Sequence, residues 1–261
     1  MSVKKQYIGN FRDLIVYRKS QLFRKDVYAI IKIMPTSERF IMKKELYKAS
    51  SSLCANLAEG NGSFYYGREY EHFDIALCKL AKCKALLDLS FVQGYITEQQ
   101  NNRLQDNAKE ISRMINALMK RIERYLTNKV EPYNDCSDKE SKLSNLEATI
   151  WRVKLLQKSI TNMVNALPNY EADNVVDQVS RAVSSVYANL TKSKGVISDK
   201  RVQELSYANG SISEVRSFLD IVVMENYITM EEYRSLDEDA GIIHSALIEQ
   251  MEQINIRLKE I

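Results

Sequence analysis

The sequence has few of the residues that interrupt regular structure, with 8 glycines and 3 prolines among 261 residues. Because many short strands require frequent turn formers, this shortage argues against an all-β fold and favours long helices. No apolar run reaches the length of a transmembrane helix, and no apolar stretch follows the basic N-terminal residues as it would in a signal peptide. These absences predict an all-α, cytoplasmic protein.

Residues that serve catalysis or metal binding are also scarce. The two histidines, His72 and His244, fit no metal-ligand pattern, and no phosphate-binding loop, dinucleotide fingerprint or nucleophile elbow occurs. Four cysteines have neither zinc nor disulfide spacing and are expected to be small core or boundary residues: Cys54, Cys78, Cys83 and Cys136. We therefore expect a non-enzymatic protein that has no catalytic residues and needs no metal and no cofactor.

Arg68 and His72, one helical turn apart, form the nearest approach to a catalytic motif. The three residues between them are fewer than the gap that arginine–histidine motifs of helical ribonucleases usually show. Glu59 precedes a glycine and is interpreted as a helix-end residue, since the sequence positions no second carboxylate to pair with it. A helical nuclease is thus a minor alternative, which predicts that His72→Ala abolishes cleavage.

An internal repeat divides the chain. LYKASSSLCANL (46–57) and VSRAVSSVYANL (179–190) agree at six of twelve positions, and LDLSFVQGYIT (87–97) matches LDIVVMENYIT (219–229) in nearly the same register. Such separated matches at one offset indicate a duplication. We predict a first domain over 1–128, a polar linker over 129–141 and a second domain over 142–261.

Each unit shows four stretches with helical periodicity. In the first unit these run to Pro35, from about 39 to 58, from 66 to 93, and from Thr97 onward, with an inward face that includes Phe91 on the third. The Glu59–Gly62 stretch, EGNG, is predicted to stop the second helix. The second unit repeats the plan near 143–167, 172–194, 199–225 and 229–260. Apolar residues make up 45% of the chain, which is enough for real cores, so the sequence predicts two tandem up-down-up-down four-helix bundles.

Charge is divided unequally between the two halves. Residues 1–130 hold 23 Lys and Arg against 13 Asp and Glu, whereas the rest of the chain holds 14 against 21. The first half therefore carries a net charge of +10 and the second −7. A strongly basic unit attracts polyanions, so this asymmetry indicates nucleic-acid binding by the first bundle.

The basic residues of the first unit form groups on each helix. Arg18, Lys25 and Lys32 recur every seven residues, which places them in one stripe. The full set of candidate nucleic-acid-binding residues is Arg18, Lys25, Lys32, Lys43, Lys44, Lys48, Arg68, Lys79, Lys82, Lys84, Arg113, Lys120, Arg121 and Arg124. Tyr65 and Tyr66 are candidate stacking surfaces for unpaired bases. The alternative is an ordinary solvated surface, and spacing alone does not separate RNA from DNA.

Two motifs in the first unit carry a resemblance to a known family. FRDLIVYRKS (11–20) contributes Phe11, Arg12 and Asp13, and SSLCANLAEGNG (51–62) contributes Asn56, Glu59 and Gly60. Residues 8–127 resemble the bacterial four-helix-bundle family that contains the proteins of 23S rRNA intervening sequences and the accessory variability determinants of diversity-generating retroelements.

The resemblance implies a basic bundle that assembles into a ring-like homopentamer. In retroelements it also implies binding to a reverse transcriptase and to nucleic acid in support of cDNA synthesis. This sequence departs from the pattern because it is doubled, and because Thr191, Lys192 and Ser193 replace Ala58-Glu59-Gly60 in the second unit. We therefore expect a diverged, acidic second bundle.

Two main hypotheses follow. The first is a nucleic-acid-binding accessory factor that works with a reverse transcriptase and forms a homo-oligomer without any membrane contact. The second is an assembly scaffold of the rRNA intervening-sequence type, in which the oppositely charged halves pair with each other between chains. The scaffold predicts that Lys25, Lys82 and Lys120 are bound by carboxylates of the second unit.

Overall fold

The structure, a computed structural model, describes residues 3–5, 9–35, 42–127, 146–167, 175–196 and 198–257. Over these ranges it contains eight α-helices and no strand. The helices are α1 (Ile15–Ile33), α2 (Met42–Gly62), α3 (Tyr66–Val92), α4 (Glu98–Thr127), α5 (Leu146–Asn165), α6 (Asp177–Lys194), α7 (Ser198–Met224) and α8 (Met230–Arg257). None of the described helices is long and apolar enough to cross a lipid bilayer.

The first four helices pack as one bundle and the last four as another. In each unit, every helix contacts its sequence neighbours, and the first helix also contacts the fourth. That closed cycle of antiparallel contacts is the up-down-up-down arrangement, so the predicted fold class is confirmed. The linker predicted over 129–141 lies outside the described residues, and the two domain boundaries stay predictions.

A single 3₁₀ turn over Phe11–Asp13 leads into α1. The Asn10 side chain accepts the backbone N–H of Arg12 at 3.1 Å, which caps this turn. Pro35 follows the end of α1, as its inability to continue a helix predicts. The face of α1 predicted to point inward is buried, including Val16, Phe23 and Val27.

The predicted end of the second helix is wrong. α2 continues through the EGNG stretch to Gly62. Gly60 permits close packing on α3, because a Cβ there would lie 3.0 Å from the His72 Cβ and from the Phe73 ring. The glycines of this motif therefore serve helix–helix contact, and the periodicity of α2 alone could not distinguish that role from a helix stop.

The turn between the third and fourth helices is the same in both units. Gly94 has φ 73°, and Asn226 stands at the aligned position with φ 57°. Thr97 accepts the N–H of Gln100 at 3.2 Å, and Thr229 accepts the N–H of Glu232 at 3.2 Å, each with the reciprocal bond of a capping box. The N-cap prediction at Thr97 is confirmed, and the repeat extends to the backbone conformation.

Phe91 was predicted to point inward, and this prediction is wrong. The ring is 39% exposed, whereas the neighbouring Ser90 is fully buried. Consecutive helical residues differ by about 100° around the axis, so the inward position in this turn of α3 belongs to Ser90. Its hydroxyl donates to the Leu86 carbonyl at 2.7 Å.

The two bundles contact each other mainly through α2 and α7, which run antiparallel. Small residues allow the approach: a Cβ on Gly62 would lie 3.1 Å from the Ser213 Cβ, and one on Gly210 would lie 3.0 Å from the Glu59 Cγ. Asn209 donates to the Gly62 carbonyl at 2.6 Å. α7 packs both inside its own bundle and against α2, and apolar, small and polar residues are buried around it, including Ile212, Ser213 and Asp220.

The described cysteines are divided between core and surface. Cys54 and Cys83 are buried and Cys78 is exposed, while Cys136 lies outside the described residues. Burial raises the pKa of the Cys54 and Cys83 thiols to about 12, so both are uncharged at neutral pH. These two act as small core residues, as the sequence predicts.

Candidate nucleic-acid interface

A basic cluster forms where the start of α2 lies beside the second half of α3. Lys44, Lys48 and Lys82 surround Glu45, and Lys82 donates a hydrogen bond to its carboxylate. That hydrogen bond and the lysine charges lower the pKa of Glu45. With Lys43 on the same turns of α2, this cluster holds more positive charge than its one carboxylate neutralises.

The predicted stripe on α1 is present and exposed. Arg18 lies 3.5 Å from Asp13, and Lys32 lies 3.4 Å from Glu225 of the second unit and 4.4 Å from the Tyr28 ring centre. Both partners of the Arg18–Asp13 contact are exposed, and such pairs contribute little to stability, whereas the Glu225 side chain is buried. Lys25, between them, is exposed.

A third basic group lies on α4. Arg113 donates to the Lys109 carbonyl at 3.4 Å, within its own helix. Lys120, Arg121 and Arg124 are exposed near the C-terminal end of the helix. There the Tyr125 ring stacks on Tyr66 of α3, with 4.6 Å between ring centres and 7° between the ring planes.

Of the two candidate stacking residues, one is buried and one is partly exposed. Tyr65 is buried, with 9% exposure, and its ring meets Phe64 edge-on at 5.4 Å. Tyr66 is partly exposed. Arg68 is directed elsewhere, since it donates to Glu71 at 2.8 Å and lies 4.9 Å from the ring centre of Tyr207 in the second unit. Helical periodicity does not predict that Tyr65 is buried, because Tyr65 precedes the first residue of α3.

Most of the candidate residues make no ion pair within the described parts of the chain. Those without one are Lys25, Lys43, Lys48, Lys79, Lys84, Arg113, Lys120, Arg121 and Arg124, and all are exposed or half-exposed. Lys82 pairs with Glu45 of its own unit. Within one chain, Lys25, Lys82 and Lys120 therefore make no ion pair with the described residues of the second unit, and the pairing between chains that the scaffold hypothesis predicts stays a prediction.

Arg12 does bind the second unit, a role that the sequence did not reveal. It donates to Asp220 at 2.7 Å and to Asp237 at 2.8 Å, and Arg216 donates to Asp237 at 2.8 Å. Tyr17 donates to Asp220 at 2.8 Å. The motif residue Arg12 is thus part of a four-membered network of two arginines and two aspartates that joins the bundles.

The buried faces of α1 make further contacts with α7 and the following turn. Arg24 donates to Glu225 at 2.7 Å, and the Tyr28 and Tyr227 hydroxyls share a short hydrogen bond. Phe11 packs edge-on against Tyr17 at 4.8 Å, which holds the 3₁₀ turn against the same junction, whereas Asp13 is exposed. The FRDL motif therefore positions the first unit on the second.

The second motif places a polar cluster at the contact of α2, α3 and α7. Glu59 Oε1 lies 3.6 Å from His72 Nε2, and Asn56 Oδ1 lies 3.2 Å from His72 Nδ1. Burial and, to a smaller extent, the charge of Arg68 lower the pKa of His72 to about 4. His72 is therefore neutral at physiological pH and packs as a polar core residue.

A second carboxylate does face Glu59, contrary to expectation. Glu214 lies one turn after Gly210, the residue against which Glu59 packs. Burial raises the pKa of Glu59, and burial together with the Glu59 charge raises the pKa of Glu214. Sequence analysis missed this pair because its members belong to different units.

Comparison with known families shows what these motifs belong to. The family model of the 23S rRNA-intervening sequence protein matches residues 12–117 and again residues 148–249. The chain belongs to the 23S rRNA-intervening sequence protein family. No curated protein matches the chain. The double match agrees with the duplication that was inferred from the two sequence repeats.

For this member of the 23S rRNA-intervening sequence protein family, the structure assigns the motif residues to packing. Phe11 and Arg12 join the units, and Asn56, Glu59 and Gly60 lie at the junction of α2, α3 and α7. Among the described residues no group of histidine, cysteine or carboxylate side chains has the arrangement of a metal site. His244, in α8, lies outside the Glu59 cluster, and its pKa is lowered by burial to about 4.

Proposed function

We propose that this protein binds nucleic acid through the cationic side chains of its first bundle, without catalysing a reaction, as a cytoplasmic accessory to a reverse transcriptase. One observation supports the binding role above all others. Arg12, Arg24 and Lys32 pair with the acidic unit, whereas nine of the candidate cations make no ion pair among the described residues. The acidic half therefore leaves most of the basic surface available to phosphates.

The cluster beside Glu45 is the principal contact in this proposal. Lys43 and Lys48 lie on α2 and Lys79 lies on the adjacent helix α3, and none of the three makes an ion pair within the described residues. Each phosphate that a lysine neutralises releases counterions, so the logarithm of the binding constant falls with the logarithm of salt concentration, by about 0.9 per contact for duplex DNA.

A binding titration tests the proposal directly. The whole chain is titrated against structured RNA, single-stranded DNA and duplex DNA at a low and a physiological salt concentration. Binding that weakens with salt is expected. No binding even at low salt would remove the proposal.

A triple variant locates the surface. Lys43→Gln, Lys48→Gln and Lys79→Gln together should reduce the salt slope by about 2 to 3. The matched control is Arg152→Gln, Lys158→Gln and Lys192→Gln, which removes three exposed charges from the second unit. An equal reduction of the salt slope in both triple variants would show that total charge, and not this cluster, controls binding.

The accessory role is tested by copurification. A reverse transcriptase encoded beside the gene for this chain is the expected partner, and the two chains should copurify after nuclease treatment. If they separate, or if no such gene is present, the role reduces to nucleic-acid binding alone.

A protein scaffold is the second candidate function, favoured by one observation on α1. Ile15, Leu22 and Ile33 are 63%, 61% and 61% exposed and lie along one face. A row of exposed aliphatic residues is typical of a surface that binds another protein chain. Sedimentation velocity over a range of concentrations tests it: Leu22→Glu should abolish any self-association, and a chain that is monomeric at every concentration would contradict self-assembly.

A further inference from the structure

The stacked tyrosines differ from every other ring pair in the described residues. Phe11–Tyr17, Tyr28–Tyr47 and Phe64–Tyr65 meet edge-on, with 74°, 68° and 89° between ring planes, and all six rings are buried. Tyr66 and Tyr125 are parallel within 7°, and both rings are partly exposed. A parallel pair at the surface offers a flat face on which a further planar ring can stack.

The ends of α3 and α4 hold this pair in place. Tyr66 is the first residue of α3, and Tyr125 lies in the last turn of α4. One turn further along α3, Tyr70 donates to Glu123 of α4 at 3.0 Å. No atom lies within 4 Å of the position that a Cβ on Gly67 would occupy, so the surface beside Tyr66 is open.

Two arginines lie next to the stacked rings. Arg121 precedes Tyr125 by one turn on the same face of α4, and Arg124 adjoins it. Burial raises the pKa of Tyr66, and the positive charge of Arg121 opposes that rise, which places the guanidinium within electrostatic range of the hydroxyl. Both arginines are exposed, and neither makes an ion pair within the described parts of the chain.

The nearby carboxylates are already engaged. Glu69 forms a buried ion pair with Lys5 at 3.1 Å, and Lys5 also donates to the Asn61 carbonyl at 2.7 Å. Glu123 accepts the Tyr70 hydroxyl. The positive charge of Arg121 and Arg124 is therefore not cancelled by a direct carboxylate contact.

We infer that Tyr66, Tyr125, Arg121 and Arg124 form a subsite for one unpaired nucleotide, with the base stacked on the tyrosine pair and the phosphates at the arginines. This inference rests on the proposed nucleic-acid binding and specifies a single-stranded segment as its ligand. A base within a duplex has both faces covered by its neighbours, so only an unpaired base can extend the tyrosine stack.

The test compares substrates that differ in one feature. The probes are a labelled single strand of roughly 12 nucleotides, within the usual range of single-strand sites, the same strand paired with its complement, and a strand in which abasic sites replace the bases. RNA and DNA versions of the single strand show which of the two nucleic acids supplies the unpaired base. Fluorescence anisotropy of the full chain gives each dissociation constant.

Tyr66→Leu removes the ring and retains an apolar side chain. It should weaken binding of the single strand about tenfold, which lies within the range of base–aromatic stacking energies, and leave the duplex and the abasic strand unchanged. Tyr66→Phe retains the ring and should bind like the wild type. Tyr187→Leu is the matched control, because Tyr187 is a partly exposed tyrosine of the second unit with Lys154 5.7 Å from its ring centre.

The outcomes separate this inference from the proposed function. If Tyr66→Leu binds the single strand like the wild type, or loses the same factor for all three probes, the stacking subsite is wrong while nucleic-acid binding stands. If the wild type binds no probe at low salt, both are wrong. Circular dichroism and the melting temperature of each variant establish that it is folded.

Discussion

Arg24 of the first unit and Glu225 of the second form an ion pair of 2.7 Å, and their side chains are 0% and 4% exposed. Two further nitrogen atoms of Arg24, Nε and Nη1, have no partner among the described residues. A buried cation that depends on a single carboxylate makes the contact between the duplicated bundles sensitive to the loss of either residue.

We expect Glu225→Ala to lower the free energy of unfolding by about 3 to 5 kcal/mol, since it leaves the Arg24 charge buried without a counter-ion. Urea denaturation followed by circular dichroism measures the change. The control is Glu231→Ala, an exposed position on α8 where the expected change is within about 0.5 kcal/mol.

The double variant Arg24→Met, Glu225→Leu replaces the same ion pair by apolar side chains. It should recover most of the lost stability, because no charge is then buried without a partner. A double variant as unstable as the single one would show that packing, and not charge, controls this contact.

The pairing of Glu59 and Glu214 predicts a stability that falls as pH rises. Both pKa values are raised above the ordinary glutamate value of 4.5, so the folded chain retains protons that the unfolded chain has released. The contribution of this pair to the unfolding free energy is therefore greatest below that value and decreases as pH rises through the folded-state values, whereas the lowered pKa values of His72 and His244 act in the opposite sense. Arg68 and Arg181, the cations near the pair, reduce this effect without removing it.

Denaturation at about pH 5 and about pH 8 measures this dependence. Glu214→Gln should reduce the decrease by on the order of 2 kcal/mol, because a neutral amide replaces one member of the pair. Glu238→Gln, an exposed substitution on α8, should preserve the wild-type profile. A Glu214→Gln profile that matches the wild type would contradict this account.

Arg12 makes stability depend on pH in the opposite sense at Asp237. Burial raises the pKa of Asp237, but hydrogen bonds from Arg216 and Arg12 outweigh burial and lower the pKa to about 2. The stability from this group is present above the ordinary aspartate value of 3.8 and is lost as pH falls toward the folded value.

Arg12→Met should raise the pKa of Asp237 and shift the start of acid unfolding to higher pH. Acid titration followed by circular dichroism measures that shift, and the carboxyl pKa is obtained by nuclear magnetic resonance. Arg152→Met is the control, since Arg152 is exposed in the second unit and makes no ion pair within the described residues. An unchanged Asp237 pKa in Arg12→Met would show that Arg216 alone maintains the site.

Gly60 and Gly67 predict opposite effects of one substitution. Gly60→Ala places a methyl group 3.0 Å from the His72 Cβ and the Phe73 ring, so we expect a loss of about 1 to 2 kcal/mol from overpacking despite the better helix propensity of alanine. Gly67→Ala meets open space in α3 and should gain up to about 1 kcal/mol. Thermal unfolding of both variants checks the signs, and a stabilised Gly60→Ala protein would mean that α2 and α3 can separate at no cost.

The sequence alone determined the local structure and its repetition. Helical periodicity placed α4 and Thr97 marked the start of its capping box, because each of these signals depends on residues within a few turns of one another. The two matching segments indicated the duplication. The predicted end of α2 was wrong at Gly60 because local sequence does not show what packs against a glycine. A glycine can mark either a helix end or a close helix–helix contact.

Only the tertiary structure decided which charges meet. Arg12 and Asp220 are separated by 208 residues, and Glu59 meets Glu214 only because α2 lies across α7. The contact between the bundles depends on how two complete helix faces fit, a property that no local pattern encodes. The number of basic residues was therefore known from the sequence, but which of them remain exposed was determined by the packing of the two units.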